Sequence, residues 1–170
     1  MVMVHNNSSS VHGNQDLISL LRIRVRRGIN LAVRDIFTSD PYVVITMGGQ
    51  TVKTRVVHNN CNPEWNEELT LSIKNPVVPI ILSVYDEDTF TRDDKMGDAE
   101  IDIQPYVECI KVGKTVQPNK KNCLAKESSI VCNKGKIYQD MRLRLRNVER
   151  GEVEVQLEWI DLLGRKVSQG

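Results

Sequence analysis

Leu21-Arg22-Ile23-Arg24-Val25-Arg26 puts three aliphatic side chains on one side of an extended chain and three guanidinium groups on the other, the pattern of a strand half-buried against a core. The same alternation returns at Tyr42 to Thr46, Thr51 to Val57, Glu68 to Ile73, Ile80 to Tyr85, Ala99 to Ile103, Met141 to Leu145 and Val153 to Trp159. That makes about eight short strands, bounded by Gly, Pro, Asn and Asp. No helical period alternates with them, so an all-β antiparallel sandwich is expected rather than a parallel sheet with crossover helices.

The alternation fails at both ends and once in the middle. Residues 1 to 16, rich in Asn, Ser, His and Gly, are expected to be a disordered arm in which His5 and His12 are solvated; 164 to 170 are expected to be a flexible tail. Residues 17 to 163 then form one domain, as suits 170 residues. Between 105 and 140 polar residues accumulate, with a short amphipathic stretch at Pro105 to Val112, and this segment is expected to be an insert carrying a short helix.

Charge excludes several classes. With 23 basic and 22 acidic residues the net charge is +1, so no global field marks a nucleic-acid binder. The arginine rows 22, 24, 26 and 142, 144, 146 face Glu152, Glu154 and Glu158 at the same spacing, and cross-strand Arg–Glu pairing accounts for them. Cys61, Cys109, Cys123 and Cys132 contain no CxxC pair and are expected to be reduced and structural. The sequence shows no apolar run long enough for a membrane span, no signal segment and no lipidation motif, so a cytoplasmic protein is expected, with any membrane contact reversible.

Two loops carry the chemistry. Asp35 and Asp40 bracket Ile-Phe-Thr-Ser between the first and second strands, while Asp86-Glu87-Asp88 ends the strand Ile80 to Tyr85 and Asp93-Asp94 follow shortly after. Like charges a few ångströms apart repel by about 1 kcal/mol per pair in water and by more where solvent is excluded. Such a cluster suits a cation, and an all-oxygen donor set favours Ca²⁺ over Zn²⁺ or Cu. Phe37 and Phe90 sit between the aspartates of their loops, where an aromatic ring has little core to fill and suits a membrane interface. Catalysis is not expected: His58 and Cys61 belong to a turn before Asn62-Pro63-Glu64-Trp65 and need not meet.

Ser39-Asp40-Pro41-Tyr42-Val43, Asn62-Pro63-Glu64-Trp65-Asn66-Glu67, Val84-Tyr85-Asp86-Glu87-Asp88 and Asp94-Lys95-Met96-Gly97, in that order, resemble the successive signatures of C2 domains. The resemblance implies an eight-stranded antiparallel C2 β-sandwich. Because the chain enters at the strand leading into the first acidic loop, it resembles the type II arrangement, whose terminal strands lie side by side. It further implies that Asp35, Asp40, Asp86, Asp88 and Asp94 bind two Ca²⁺ ions through their side chains, with Arg34 and Glu87 contributing backbone carbonyls. Asp93 is the rival for the place of Asp94. The gap of five between Asp35 and Asp40, where many C2 domains have six, is a departure that bears on the second ion. Lys53 and Arg55 lie where C2 domains often hold lipid headgroups, although a solvated strand face accounts for them equally well.

The insert, with Asn122-Cys123-Leu124-Ala125-Lys126-Glu127 and Gly135-Lys136-Ile137-Tyr138-Gln139-Asp140, is similar to that of the small plant C2-domain abscisic-acid-related proteins, also described as GTPase-activating C2 proteins. That group implies a non-catalytic, monomeric, calcium-dependent binder of anionic phospholipid. The implied partners are abscisic acid receptors of the PYR/PYL type, brought to the plasma membrane, and a YchF-type GTPase, with the nucleus as a second compartment and no nucleic-acid partner. Stimulation of a GTPase needs positioning or an arginine supplied in trans, for which Arg34, Arg92 and Arg150 are equivalent candidates. The competing expectation is a calcium-independent adaptor with non-functional metal loops.

Overall fold

A computed structural model describes residues 19–74, 78–113, 115, 124–126, 128–133 and 136–162. The expected terminal arm and tail, with His5 and His12, and Cys123 within the insert, lie outside the described residues. The elements in chain order are β1 (Ser19–Ile29), β2 (Pro41–Met47), β3 (Gln50–Lys53), β4 (Glu64–Ile73), β5 (Ile80–Asp86), β6 (Asp94–Ile101), α1 (Gln104–Val112), β7 (Leu124–Lys126), β8 (Val131–Asn133), β9 (Lys136–Arg144) and β10 (Glu152–Asp161). They form two antiparallel sheets. One has the order β4-β1-β10-β9-β7 with β8 also paired to β9, and the other has the order β3-β2-β5-β6.

The opening stretch behaves as its alternation requires: Leu21, Ile23 and Val25 are fully buried, beside their buried partners on β10, Trp159, Leu157 and Val155. Each such side chain removed from water contributes roughly 1.5–3 kcal/mol, which holds the sandwich together and fixes the register, since a one-residue slip would expose the whole set. β1 and β10 pair from Ser19↔Asp161 to Ile29↔Glu152. The terminal strands therefore lie side by side, as the type II arrangement requires.

The structure corrects the expected strands in four places. Among the described residues ten strands replace about eight, because the insert contributes β7 and β8 and the beginning of β9 as well as helix α1. β6 begins at Asp94, not near Ala99; its first residues are polar, yet they pair with the end of β5. β3 ends at Lys53, so Arg55 stands beyond the strand, although exposure still alternates across Lys53, buried Thr54 and Arg55. A bulge between Val25 and Arg27 displaces Arg26 from the arginine row.

Arg27 takes Arg26's place, opposite Glu154 at 2.7 Å. Arg26 pairs with Asp140 at 3.4 Å, Arg22 meets Glu68 and Glu158 at 3.1 and 3.2 Å, and Arg142 meets Glu154 at 2.7 Å. The outer face is thus ionically balanced, as the Arg–Glu reading expected, except that Arg146 lies past the end of β9 and belongs to another cluster.

Helix α1 starts with Pro105 in its first turn and stops at Gly113, whose φ of 69° lets its N–H reach the Cys109 carbonyl at 2.8 Å. Its buried Tyr106 stacks on Trp159 and donates its hydroxyl proton to Gln139 at 2.6 Å. Gln139 in turn donates to the Ser128 carbonyl at 3.0 Å. This satisfied polar chain ties the insert to β9.

Candidate metal centre

Asp35, Asp86 and Asp88 converge at one end of the sandwich, each with a carboxylate oxygen within 4.8 Å of those of the other two. The loop between β1 and β2 delivers Asp35. The Asp35 N–H donates to the Thr38 carbonyl at 2.9 Å, closing a tight turn. Ser39, fully buried, accepts from the Arg34 N–H at 2.8 Å and donates to the Ala32 carbonyl at 2.9 Å. Trp65, from the Asn-Pro-Glu-Trp motif, fills the base of this loop and donates its indole N–H to the Pro41 carbonyl at 3.2 Å.

Asp86 is the last residue of β5 and is fully buried. Its Oδ1 accepts the Asp40 N–H at 2.6 Å, while Oδ2 is buried with no hydrogen-bond partner among the described residues. Burial pushes the Asp86 carboxyl up to about 6 against the opposing Asp40 N–H bond, and the charges of Asp35, Asp88 and Asp40 push it further. A buried carboxylate that has one oxygen without a donor and two more carboxylates beside it is an expensive arrangement that a cation relieves. The donors are all oxygen, which fits Ca²⁺.

The other expected ligands divide. Asp40 holds the loops together: its Oδ1 accepts the Asn59 N–H at 2.7 Å and lies 3.7 Å from His58 Nδ1. Asp94 pairs across the strands with Asp86 and stands outside the close triad. Asp93, its rival, is committed elsewhere, since its carboxylate accepts the Tyr42 hydroxyl and the Asp88 N–H, the latter at 3.0 Å. The Tyr42 bond holds the Asp93 carboxyl below its usual range. Glu87 donates its N–H to the Asp40 carbonyl at 3.0 Å. Arg34 donates through both terminal nitrogens to Glu149, at 2.6 and 2.9 Å.

Phe37 and Phe90 are 89% and 97% exposed at the loop tips, and Ile36 beside Phe37 is 85% exposed. Sequence reasoning missed Ile36, although a second apolar residue inside an acidic loop was a signal for it. It also missed Glu149, which lies 115 residues from Arg34; nothing local marks it. Lys53 and Arg55 are both exposed. Arg55 pairs with Glu67 at 3.6 Å and donates to the Trp65 carbonyl at 2.7 Å.

Comparison with known proteins identifies the fold and the family. The C2 domain family model matches residues 19–122. Protein C2-DOMAIN ABA-RELATED 5 of Arabidopsis thaliana is 56% identical over 159 residues, covering 88% of this chain and 80% of its own. GTPase activating protein 1 of Oryza sativa subsp. indica is 55% identical over 160 residues, covering 88% of this chain and 96% of its own. Among solved structures, the calcium-bound tandem C2 domains of Extended-Synaptotagmin 2 superpose with a TM-score of 0.61 at 23% identity, over 86% of this chain and 47% of that one. A C2 domain of plant Extended Synaptotagmin 1 superposes at 0.59 and 23% identity, over 86% of this chain and 98% of that one. The chain belongs to the C2 domain family. Its curated relatives at about this level of identity are plant C2-domain ABA-related proteins and GTPase activating protein 1.

Proposed function

We propose that the protein is a calcium-dependent, non-enzymatic adaptor that attaches reversibly to anionic phospholipid and brings partner proteins to the membrane. The observation that carries this reading is the buried Asp86 carboxylate, which has one oxygen without a hydrogen-bond partner among the described residues and lies within 4.8 Å of Asp35 and Asp88. Asp35, Asp86 and Asp88 would hold the first Ca²⁺; Asp40 and Asp94, with the carbonyls of Arg34 and Glu87, complete the set for two. Calcium bound there supplies positive charge and open positions for phosphate oxygens.

The chain's own residues do the rest. Without metal, the five carboxylates repel an anionic surface. Ile36, Phe37 and Phe90 project from the same loops and would bury apolar area in the headgroup region once the repulsion is relieved. Among the described residues no helix is long and apolar enough to cross a membrane, and interfacial insertion needs none. Similarity to proteins named for abscisic acid and for GTPase activation supports an abscisic-acid-related partner and a GTPase; in the specific form proposed these are PYR/PYL-type receptors and a YchF-type GTPase, met at the plasma membrane and in the nucleus.

Co-sedimentation with phosphatidylserine vesicles tests the reading. Binding should require calcium, disappear with excess chelator, and be lost in an Asp86→Ala, Asp88→Ala variant. Equal binding in every condition, or none in any, would sink it in favour of the calcium-independent adaptor.

A further inference from the structure

The turn between β9 and β10 reaches both acidic loops' supports. Asp98, on β6 and nearly buried, accepts from Arg146 at 2.9 Å and from the Asn147 side chain at 3.1 Å, and pairs with Lys95 at 2.9 Å. A single-residue bridge joins the backbones of Asp98 and Arg146. Gly97, at φ 102°, allows this approach: a Cβ there would stand 2.6 Å from Val148 and 2.9 Å from the Arg146 carbonyl. Two residues beyond Asn147, Glu149 grips Arg34, whose neighbour in sequence is Asp35.

Arg34 is a permanent cation adjoining an acidic cluster. Its guanidinium feels the charges of Asp94 and Asp86. Yet its hydrogen bonds run to Glu149 at 2.6 and 2.9 Å and to the Val33 carbonyl at 3.2 Å, and not to those carboxylates. A two-pronged Arg–carboxylate contact fixes direction as well as distance. Let go, a flexible guanidinium beside several carboxylates would fall onto them and compete with any other cation for the same oxygens.

We propose that Glu149 is a positioning residue for the metal loops: it holds the Arg34 guanidinium off the aspartates and thereby keeps them open to calcium. This rests on the calcium reading above. It makes Arg34 and Glu149 an antagonistic pair, in which removing the anion harms metal binding and removing the cation does not.

The test is calorimetric titration of the full chain with calcium chloride alone, without lipid. Glu149→Gln should lower calcium affinity about tenfold, the scale of one unit charge acting over several ångströms near a surface. Arg34→Gln should bind at least as tightly as the native chain, and the Glu149→Gln, Arg34→Gln double variant should match Arg34→Gln. Arg34→Lys, which keeps the charge and loses the two-pronged contact, should shift in the same direction as Glu149→Gln. Glu149 is exposed, so the metal-free melting temperature of Glu149→Gln should stay within about 2 °C of native. An unchanged affinity in Glu149→Gln, or a loss that persists when Arg34 is also gone, overturns the inference while leaving the calcium reading standing. Absence of calcium binding by the native chain overturns both.

Discussion

The outer face of the larger sheet and the loop end of the sandwich both carry dense charge, and they handle it in opposite ways. On the sheet face, arginines and glutamates alternate across β4, β1, β10 and β9, and each bridging carboxylate has a cation within reach. At the loop end, Asp35, Asp86 and Asp88 face one another, and the nearby guanidinium of Arg34 is turned to Glu149. Balanced charge keeps a sheet face soluble and contributes little energy. Charge left uncompensated in a partly dry site stores repulsion that a ligand can discharge, which is why the two regions read so differently although both are densely charged.

The largest expected contrast is the stabilisation by calcium. At a thousand times its Kd, a ligand that binds only the folded state adds about 4 kcal/mol, seen as a rise in melting temperature. Asp86→Asn should abolish that rise and at the same time raise the metal-free melting temperature, because it removes a desolvated carboxylate repelled by Asp35 and Asp88. A lower metal-free melting temperature in Asp86→Asn would break the comparison.

Next in size is Asp98→Ala, expected to cost about 3 kcal/mol in urea unfolding, since it strips a nearly buried carboxylate from Lys95, Arg146 and Asn147. Burial alone would push the Asp98 carboxyl up, but these three donors outweigh it and hold it below its usual range. Its contribution is therefore present above the unfolded pKa of 3.8 and lost as pH falls through the lower folded value.

Asp86 runs the other way. Its folded pKa of about 6 lies above the unfolded 3.8, so its protonation stabilises the metal-free fold fully below 3.8, and that gain is lost as pH rises through about 6. Calcium must displace this proton, so calcium affinity should fall up to about tenfold per unit as pH drops below about 6, about 1.4 kcal/mol per unit. Titrations at pH 5 and pH 7 giving the same affinity would contradict it.

The smallest effect belongs to the sheet face. Glu154→Gln should cost about 1 kcal/mol at pH 7, measured by urea unfolding. Hydrogen bonds from Arg27, then burial working against them, then Arg142 set its carboxyl at about 2, below the usual 4.5. The difference between native and variant should be full above pH 4.5 and vanish as pH falls through about 2.

Much of this was legible in residue order. The alternation at Leu21 to Val25, the buried Trp65 of Asn-Pro-Glu-Trp and the Met96-Gly97 pair each state a local requirement that the fold meets. β6 was misjudged because its first residues are polar while four of its next residues are buried together, a pattern of period neither two nor 3.6. Arg26 was misplaced because a bulge adds a residue without any marker in the pattern. For Arg55 the sequence shows the charge and not the partners, Glu67 and the Trp65 carbonyl.

Sequence by itself determined the sheet architecture, the family and the two acidic loops, because strand periodicity and short motifs are local and survive translation into a line of letters. Tertiary structure decided what each acid does. It brought Asp35, 51 residues away, to Asp86 and Asp88, gave Asp93 to Tyr42, left one Asp86 oxygen without a donor among the described residues and set Glu149 against Arg34. These are differences of a few ångströms between groups far apart in the chain, and they are settled by strand pairing and loop packing in the folded sandwich.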